Sequence, residues 1–288
     1  MHIDAHQHFW RLADRQGQWP PPALAPLYRD FAPADLLPSL QRCRIAGTVL
    51  VQSLPSLGDT EFMLELAQRH DFILGVVGWV DLKSAGAPLY IAHLAQYRKF
   101  KGLRPMLQDL GDDRWIDDPA LDLAVQCMVD HGLSFDALVL QRHLPALRCF
   151  ARRHPDLPIV VDHAAKPAIA RGALRTWQRE IAALARLPNV HCKLSGLLTE
   201  GGPGCDQARL RPCVEHVFDS FGSSRLMWGS DWPVLRLATD YDEWFAMAHS
   251  LCTSQPGVGD AELDAVFGGN AHRFYRLDHS PNRQGFPC

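Results

Sequence analysis

The sequence predicts a single-domain α/β fold, a (β/α)8 TIM barrel, on three observations. Eight short apolar runs recur at intervals of about 25–45 residues, most are followed by a helical pattern, and 288 residues accommodate a barrel of about 250 without a second domain. The runs are 2–8 (HIDAHQH), 47–53 (GTVLVQS), 72–80 (FILGVVGWV), 100–107 (FKGLRPML), 133–139 (LSFDALV), 159–164 (IVVDHA), 190–195 (VHCKLS) and 225–230 (RLMWGS). Helical patterns fill the intervals at 33–44, 59–70, 119–131, 143–154, 172–187, 207–221 and 240–251. Asp59-Thr60-Glu61-Phe62 and Asp118-Pro119 supply helix starts, because a short acceptor satisfies free N–H groups of the first turn and proline tolerates its first position. No sequence repeat accompanies the period.

Composition narrows the function classes. A net charge of −3, a pI near 6.5 and the lack of any basic run argue against nucleic acid and anionic membrane as partners. The longest apolar run, Phe72 to Val80, is too short to span a bilayer. The first strand begins at residue 2, leaving no room for a signal peptide, and the eight cysteines form no C-x-x-C pair. A cytoplasmic protein with reduced thiols and a small-molecule substrate is the expectation, with self-association into a homo-oligomer left open.

Two loops fall on the rim where barrel enzymes build their sites. Residues 11–32 carry Trp19, Pro20, Pro21, Pro22, Pro26, Tyr28 and Phe31, an aromatic content that suggests a pocket wall. Residues 199–206 (TEGGPGCD) match no phosphate-binding spacing, and their role is left open. Residues 279–288 read as an irregular C-terminal tail.

The chemistry concentrates at strand ends. His6 and His8 stand at i and i+2 on one strand, so both project to one face and can place two imidazoles on one ion. His163 ends the sixth run, and Asp231 follows the eighth, in Trp228-Gly229-Ser230-Asp231-Trp232-Pro233. If strands one and eight are neighbours in a closed barrel, three imidazoles and a carboxylate meet at its rim. Zinc is favoured for such a set, because nitrogen donors with one carboxylate suit a borderline ion, with manganese and other divalent ions as alternatives. Asp162, one residue before His163, is expected to face the helical layer. Asp4 is expected on the face of His6 and His8, deeper in the barrel, to orient a histidine or pair with a barrel lysine; Lys193 is expected to pair internally. Around this set, Gln52, Trp79, Arg104, Lys166, Ser195 and Trp232 are candidates for the substrate pocket. Arg104 has the planar donor fork that suits an oxygen-rich substrate, and a structural salt bridge is its alternative role.

Together, HIDAHQHFW, FKGLRPMLQ, VVDHAAKP, CKLSGL, RLMWGSDWPV and FGGNAHRFYRL resemble the amidohydrolase superfamily along nearly the whole chain. The resemblance is to its "amidohydrolase 2" branch, whose members include sugar lactonases acting on L-fucono- and L-rhamnonolactone. It implies the (β/α)8 fold and places the usual functional positions on His6, His8, His163 and Asp231. Binuclear amidohydrolases add a carboxylated lysine or a glutamate on strand four and a histidine on strand five. Here strand four offers Lys101 and Arg104, and strand five offers Asp136. One divalent metal at most is therefore implied, and some relatives in this branch work without any.

These residues point to hydrolysis of a small sugar (aldono) lactone. Asp231 is the expected general base on water, with the carbonyl polarised by a metal on His6, His8 and His163 or by those histidines and Arg104 directly. No G-x-S-x-G elbow offers a serine nucleophile. The alternatives are a metal-dependent non-oxidative decarboxylase of a small aromatic acid and a barrel without catalysis.

Overall fold

A computed structural model describes residues 1–278, so the 279–288 tail lies outside the described residues. Eight parallel strands form one sheet in sequence order: β1 (His2–Gln7), β2 (Ile45–Val51), β3 (Ile73–Gly78), β4 (Phe100–Leu103), β5 (Ser134–Ala137), β6 (Ile159–Val161), β7 (Val190–Leu194) and β8 (Leu226–Trp228). The ends of β1 and β8 meet: Asp231 N–H donates to the His6 carbonyl at 2.8 Å, and His8 N–H donates to the Trp232 carbonyl at 2.7 Å. Gly229 allows the approach, since a Cβ there would lie 2.7 Å from the Cβ of His6. Strands one and eight are thus neighbours in a (β/α)8 barrel.

All eight expected strands are present, and each stops earlier than its apolar run does. β4 ends at Leu103, just before Arg104-Pro105, where proline has no N–H for a ladder. β6 ends at Val161 because four residues from His163 to Lys166 take left-handed backbone angles.

The connecting helices are α1 (Pro33–Arg42), α2 (Leu57–Arg69), α3 (Ala87–Leu94), α4 (Asp122–Asp130), α5 (Leu144–Arg153), α6 (Arg175–Ala185), α7 (Leu197–Gly201), α8 (Gln207–Phe221) and α9 (Tyr241–Thr253). Side chains at the residues before them cap three of these: Ser56, Asp206 and Asp240 accept N–H bonds from Asp59, Arg209 and Glu243. α3 has no counterpart in the sequence reading. Its eight residues, APLYIAHL, are apolar nearly all round, and Leu89 is 78 % exposed, so no amphipathic stripe marks it. The 199–206 loop likewise begins inside a helical turn, α7.

Two apolar layers hold the barrel. The larger cluster fills the space between strands and helices. The smaller one, with Ile3, Ala5, Val49, Val51, Val77, Val160 and Met227, fills the barrel axis and is joined by Ala271, Tyr275 and Leu277 from the C-terminal segment. Asp4 lies outside that inner layer, which corrects its expected place beside His6. Its carboxylate accepts from Ser230 N–H at 2.9 Å, His6 N–H at 3.1 Å and the Tyr241 hydroxyl of α9 at 3.0 Å. The pairing of β1 with β2 shifts between Asp4 and Gln7, and this irregularity breaks the i, i+2 alternation. Among the described residues, no helix is long and apolar enough to cross a membrane, and seven cysteines are free thiols.

Candidate active site

Strand ends bring His6, His8, His163 and Asp231 together, all of them nearly or fully buried. Nε2 of His6 lies 3.2 Å from Nε2 of His8 and 3.6 Å from Oδ1 of Asp231. The same carboxylate oxygen is 3.2 Å from Nε2 of His8 and 3.9 Å from Nε2 of His163. Two of these residues sit in strained backbone: φ is +53° at His163 and +57° at Asp231, a region that costs a non-glycine residue. The turn at His163 needs Gly196 opposite, where a Cβ would meet the imidazole Nδ1 at 2.7 Å.

The remaining ring nitrogens are held from behind. Nδ1 of His8 is 2.7 Å from the Val51 carbonyl. A carbonyl only accepts, so Nδ1 carries a proton and Nε2 faces the site. Nδ1 of His163 is 2.8 Å from the Ser195 hydroxyl. Ser195 thus stands behind His163, not against open space. Nδ1 of His6 lies 3.3 Å from Asp162 Oδ1 and 3.2 Å from Lys193 Nζ.

Asp162 faces the barrel centre, against the expectation that it points to the helices. Its carboxylate receives Arg104 Nη1 at 3.2 Å and Lys193 Nζ at 3.0 Å, and it is fully buried. Strand alternation carries it inward with Val160, and the left-handed turn that follows brings His163 inward as well. Lys193 pairs internally as expected, also meeting Asp136 at 2.6 Å. Arg104 is held within the same network: Nη2 donates to the Gln52 carbonyl, Gln52 Nε2 donates to the Arg104 carbonyl at 2.7 Å, and Nη1 comes within 3.5 Å of His6 Nε2.

Electrostatics sets the protonation states. Burial lowers the His163 pKa to about 4, although Asp231 and Asp162 oppose it, and burial also takes His6 well below its ordinary value. Burial alone would raise Asp231, but His163, the hydrogen bond with His8 and the neighbouring His6 hold it well below the usual carboxylate range. Imidazoles around one carboxylate are a fitting donor set for a divalent ion. Four donors around zinc stand roughly 3.3 Å apart for bonds of about 2.0–2.1 Å, and the separations given above bracket that spacing. The ligand atoms of His6, His163 and Asp231 all lie within 4.8 Å of one another, and His8 joins through His6 and Asp231.

Other residues frame the site. Lys166 lies 4.0 Å from Glu200, a residue of α7 that sequence reasoning passed over; burial raises the Glu200 pKa, and the charge of Asp231 adds to this. Its only signal was that it is one of two carboxylates in an unassigned glycine-rich loop. Beyond the ends of β2, β3 and β4 opens a cavity of about 340 Å³, walled by Trp19, Leu54, Trp79, Pro105, Met106 and Trp115 among others. Trp79 is therefore on a pocket wall. Trp232 is not: its ring is buried against Phe9 and Phe31. The aromatic loop divides similarly, with Phe31 buried in the core and Tyr28 exposed, and only Trp19 bordering the cavity. A second cavity of about 470 Å³, between this loop and α2, touches none of the four central residues.

The amidohydrolase family profile matches residues 3–277. The chain is 56 % identical to an L-fucono-1,5-lactonase of Burkholderia ambifaria over 285 residues, covering 98 % of both proteins. It is 37 % identical to an L-fucono-1,5-lactonase of Burkholderia multivorans, covering 96 % of each. A crystal structure of an amidohydrolase from Burkholderia multivorans with bound zinc superposes with a TM-score of 0.89 at 36 % identity, over 96 % of this chain and all of that one. With the barrel, its rim histidines and a match of this extent, the chain belongs to the amidohydrolase family.

Proposed function

We propose that this protein hydrolyses a small sugar lactone of the aldono-1,5-lactone type. The observation that carries the proposal is the convergence of three imidazoles on the buried Asp231 carboxylate at the barrel rim. The lactonase names of the two Burkholderia relatives support the substrate class. Seven free thiols suit the reducing interior of a cell.

Asp231 acts as general base: it takes a proton from water as the water oxygen adds to the lactone carbonyl. Arg104 and His163 are the donors nearest the resulting oxyanion. Collapse of the tetrahedral adduct breaks the ring C–O bond, and the proton on Asp231 returns to the departing ring oxygen, giving the open hydroxy acid. Gln52 and Asp162 hold Arg104, and Ser195 holds His163, so the donors need little reorganisation. Trp79 and Lys166 contact the substrate on opposite sides. Alternatively, His6, His8, His163 and Asp231 would hold a single divalent ion, zinc by preference, which would supply Lewis acidity to a carbonyl oxygen and to water, with His163 then a ligand in place of a donor.

The test uses L-fucono-1,5-lactone with a pH indicator, before and after chelation, on wild type and on Asp231→Asn. Acid release is expected from wild type, with kcat lower by roughly two or more orders of magnitude in a folded Asp231→Asn protein. Near-normal turnover in that variant sinks the base assignment. Metal analysis is expected to find no more than about one equivalent, lost in His6→Ala/His8→Ala. Full activity after exhaustive chelation would recast the histidines as direct hydrogen-bond donors.

A further inference from the structure

We propose that Lys193 is a positioning residue that sets the tautomer of His6. Its ammonium group holds the imidazole with Nδ1 as acceptor, so Nε2 carries the proton and enters the centre as a donor. A divalent ion can take Nε2 only by displacing that bond. The proposal rests on the lactonase reading and names what His6 does in that site, and its test reads the imidazole itself.

The protons of Lys193 carry the argument. An ammonium group has three N–H donors and no acceptor. Lys193 Nζ is fully buried, donates to Asp136 Oδ2 at 2.6 Å and to His6 Nδ1 at 3.2 Å, and pairs with Asp162 Oδ1 at 3.0 Å. A proton on Nδ1 would set donor against donor, and a buried N–H facing a cation is costly. Nδ1 therefore accepts, and the ring proton stands on Nε2. The surroundings of Nε2 agree. The Asp231 carboxylate oxygen lies 3.6 Å away and His8 Nε2 lies 3.2 Å away. Arg104 Nη1 also comes within 3.5 Å, but its nearer acceptor is Asp162 Oδ2 at 3.2 Å.

A second arrangement is built into the same pocket. Oδ1 of Asp162 is 3.3 Å from His6 Nδ1, and it is buried without a directed hydrogen bond of its own. It can accept from Nδ1 once the ring moves its proton there. The ring charge is unchanged by that shift, since one proton leaves Nε2 and one arrives at Nδ1. Nε2 then has a lone pair for an ion, with a carboxylate behind the other nitrogen, as metal-bound imidazoles commonly have. Lys193 opposes this state, and Asp162 favours it.

The experiment labels histidine with nitrogen-15 and reads both ring nitrogens of His6 in metal-free wild type, with His6→Gln identifying the signals. The proton is expected on Nε2, and saturation with zinc is expected to move it to Nδ1. A metal-free wild-type spectrum with the proton on Nδ1 overturns the proposal. Zinc affinity is then compared, by competition with a chelating dye, between wild type and Lys193→Met. The variant is expected to bind zinc about 10- to 100-fold more tightly, the range over which partners behind a ligand change affinity. Its His6 proton is expected on Nδ1 before zinc is added. A folded Lys193→Met that keeps the proton on Nε2, or binds zinc no more tightly than wild type, overturns the proposal. Melting curves establish whether the variant folds, and the wild-type spectra carry the test where it does not. Absence of lactone hydrolysis alongside the expected spectra overturns the lactonase reading and leaves the role of Lys193 standing.

Discussion

At the scale of single residues, the site is a case of burial controlling charge. The His163 imidazole is neutral because desolvation outweighs two nearby carboxylates, and Asp231 stays anionic because its imidazole neighbours outweigh its own desolvation. The sign of the pH dependence follows. As pH falls, His163 takes a proton near its lowered value of about 4, and the carboxylate follows lower still. The profile of kcat/KM is therefore expected to stay flat from about pH 8 down to about 5.5 and to fall below that. An inflection near 6.5, the ordinary histidine value, would show that the imidazoles titrate as solvated groups.

At the scale of elements, two irregular strand ends make the site, and neither obeys alternation. In β1 the register shift after Asp4 sends Asp4 to the helical side and His6 to the axis. After β6 the left-handed run from His163 to Lys166 turns two successive residues, Asp162 and His163, toward the centre. Gly196 makes room for that turn and itself has φ of +64°. Gly196→Ala is accordingly expected to push the His163 ring out of place, lowering kcat/KM by at least about tenfold and stability by about 1–3 kcal/mol. Steady-state kinetics and urea unfolding check this, and a variant with unchanged kinetics would mean that the ring position does not matter for turnover.

At the scale of the whole molecule, the buried charges tie the chain ends to the centre. Lys193 links Asp162 and Asp136, and Asp136 accepts from the Tyr275 hydroxyl of the C-terminal segment at 2.6 Å. Lys193, Asp136 and Asp162 are all fully buried, so each charge depends on the others for compensation. Lys193→Met keeps the volume but leaves Asp162 with Arg104 and Asp136 with only the Tyr275 and Ser134 hydroxyls, and is expected to cost about 3–5 kcal/mol in urea unfolding. A loss under about 1 kcal/mol would show that protonation of Asp136 relieves the charge with little cost.

The barrel was legible in the sequence because its signal is periodic. Short apolar runs and intervening helical patterns recur along the chain, and burial of both strand faces requires them. His6, His8, His163 and Asp231 were legible because each stands where an apolar run gives way to polar residues. Only the tertiary structure decided the places of Asp4 and Asp162, since alternation holds within a regular ladder and fails at a shifted register or a left-handed turn. It alone brought Glu200 near Asp231 and set Phe31 and Trp232 in the core with Trp19 at the cavity. These are contacts between distant segments, and an aromatic side chain reads the same in a sequence whether it faces a pocket or a core.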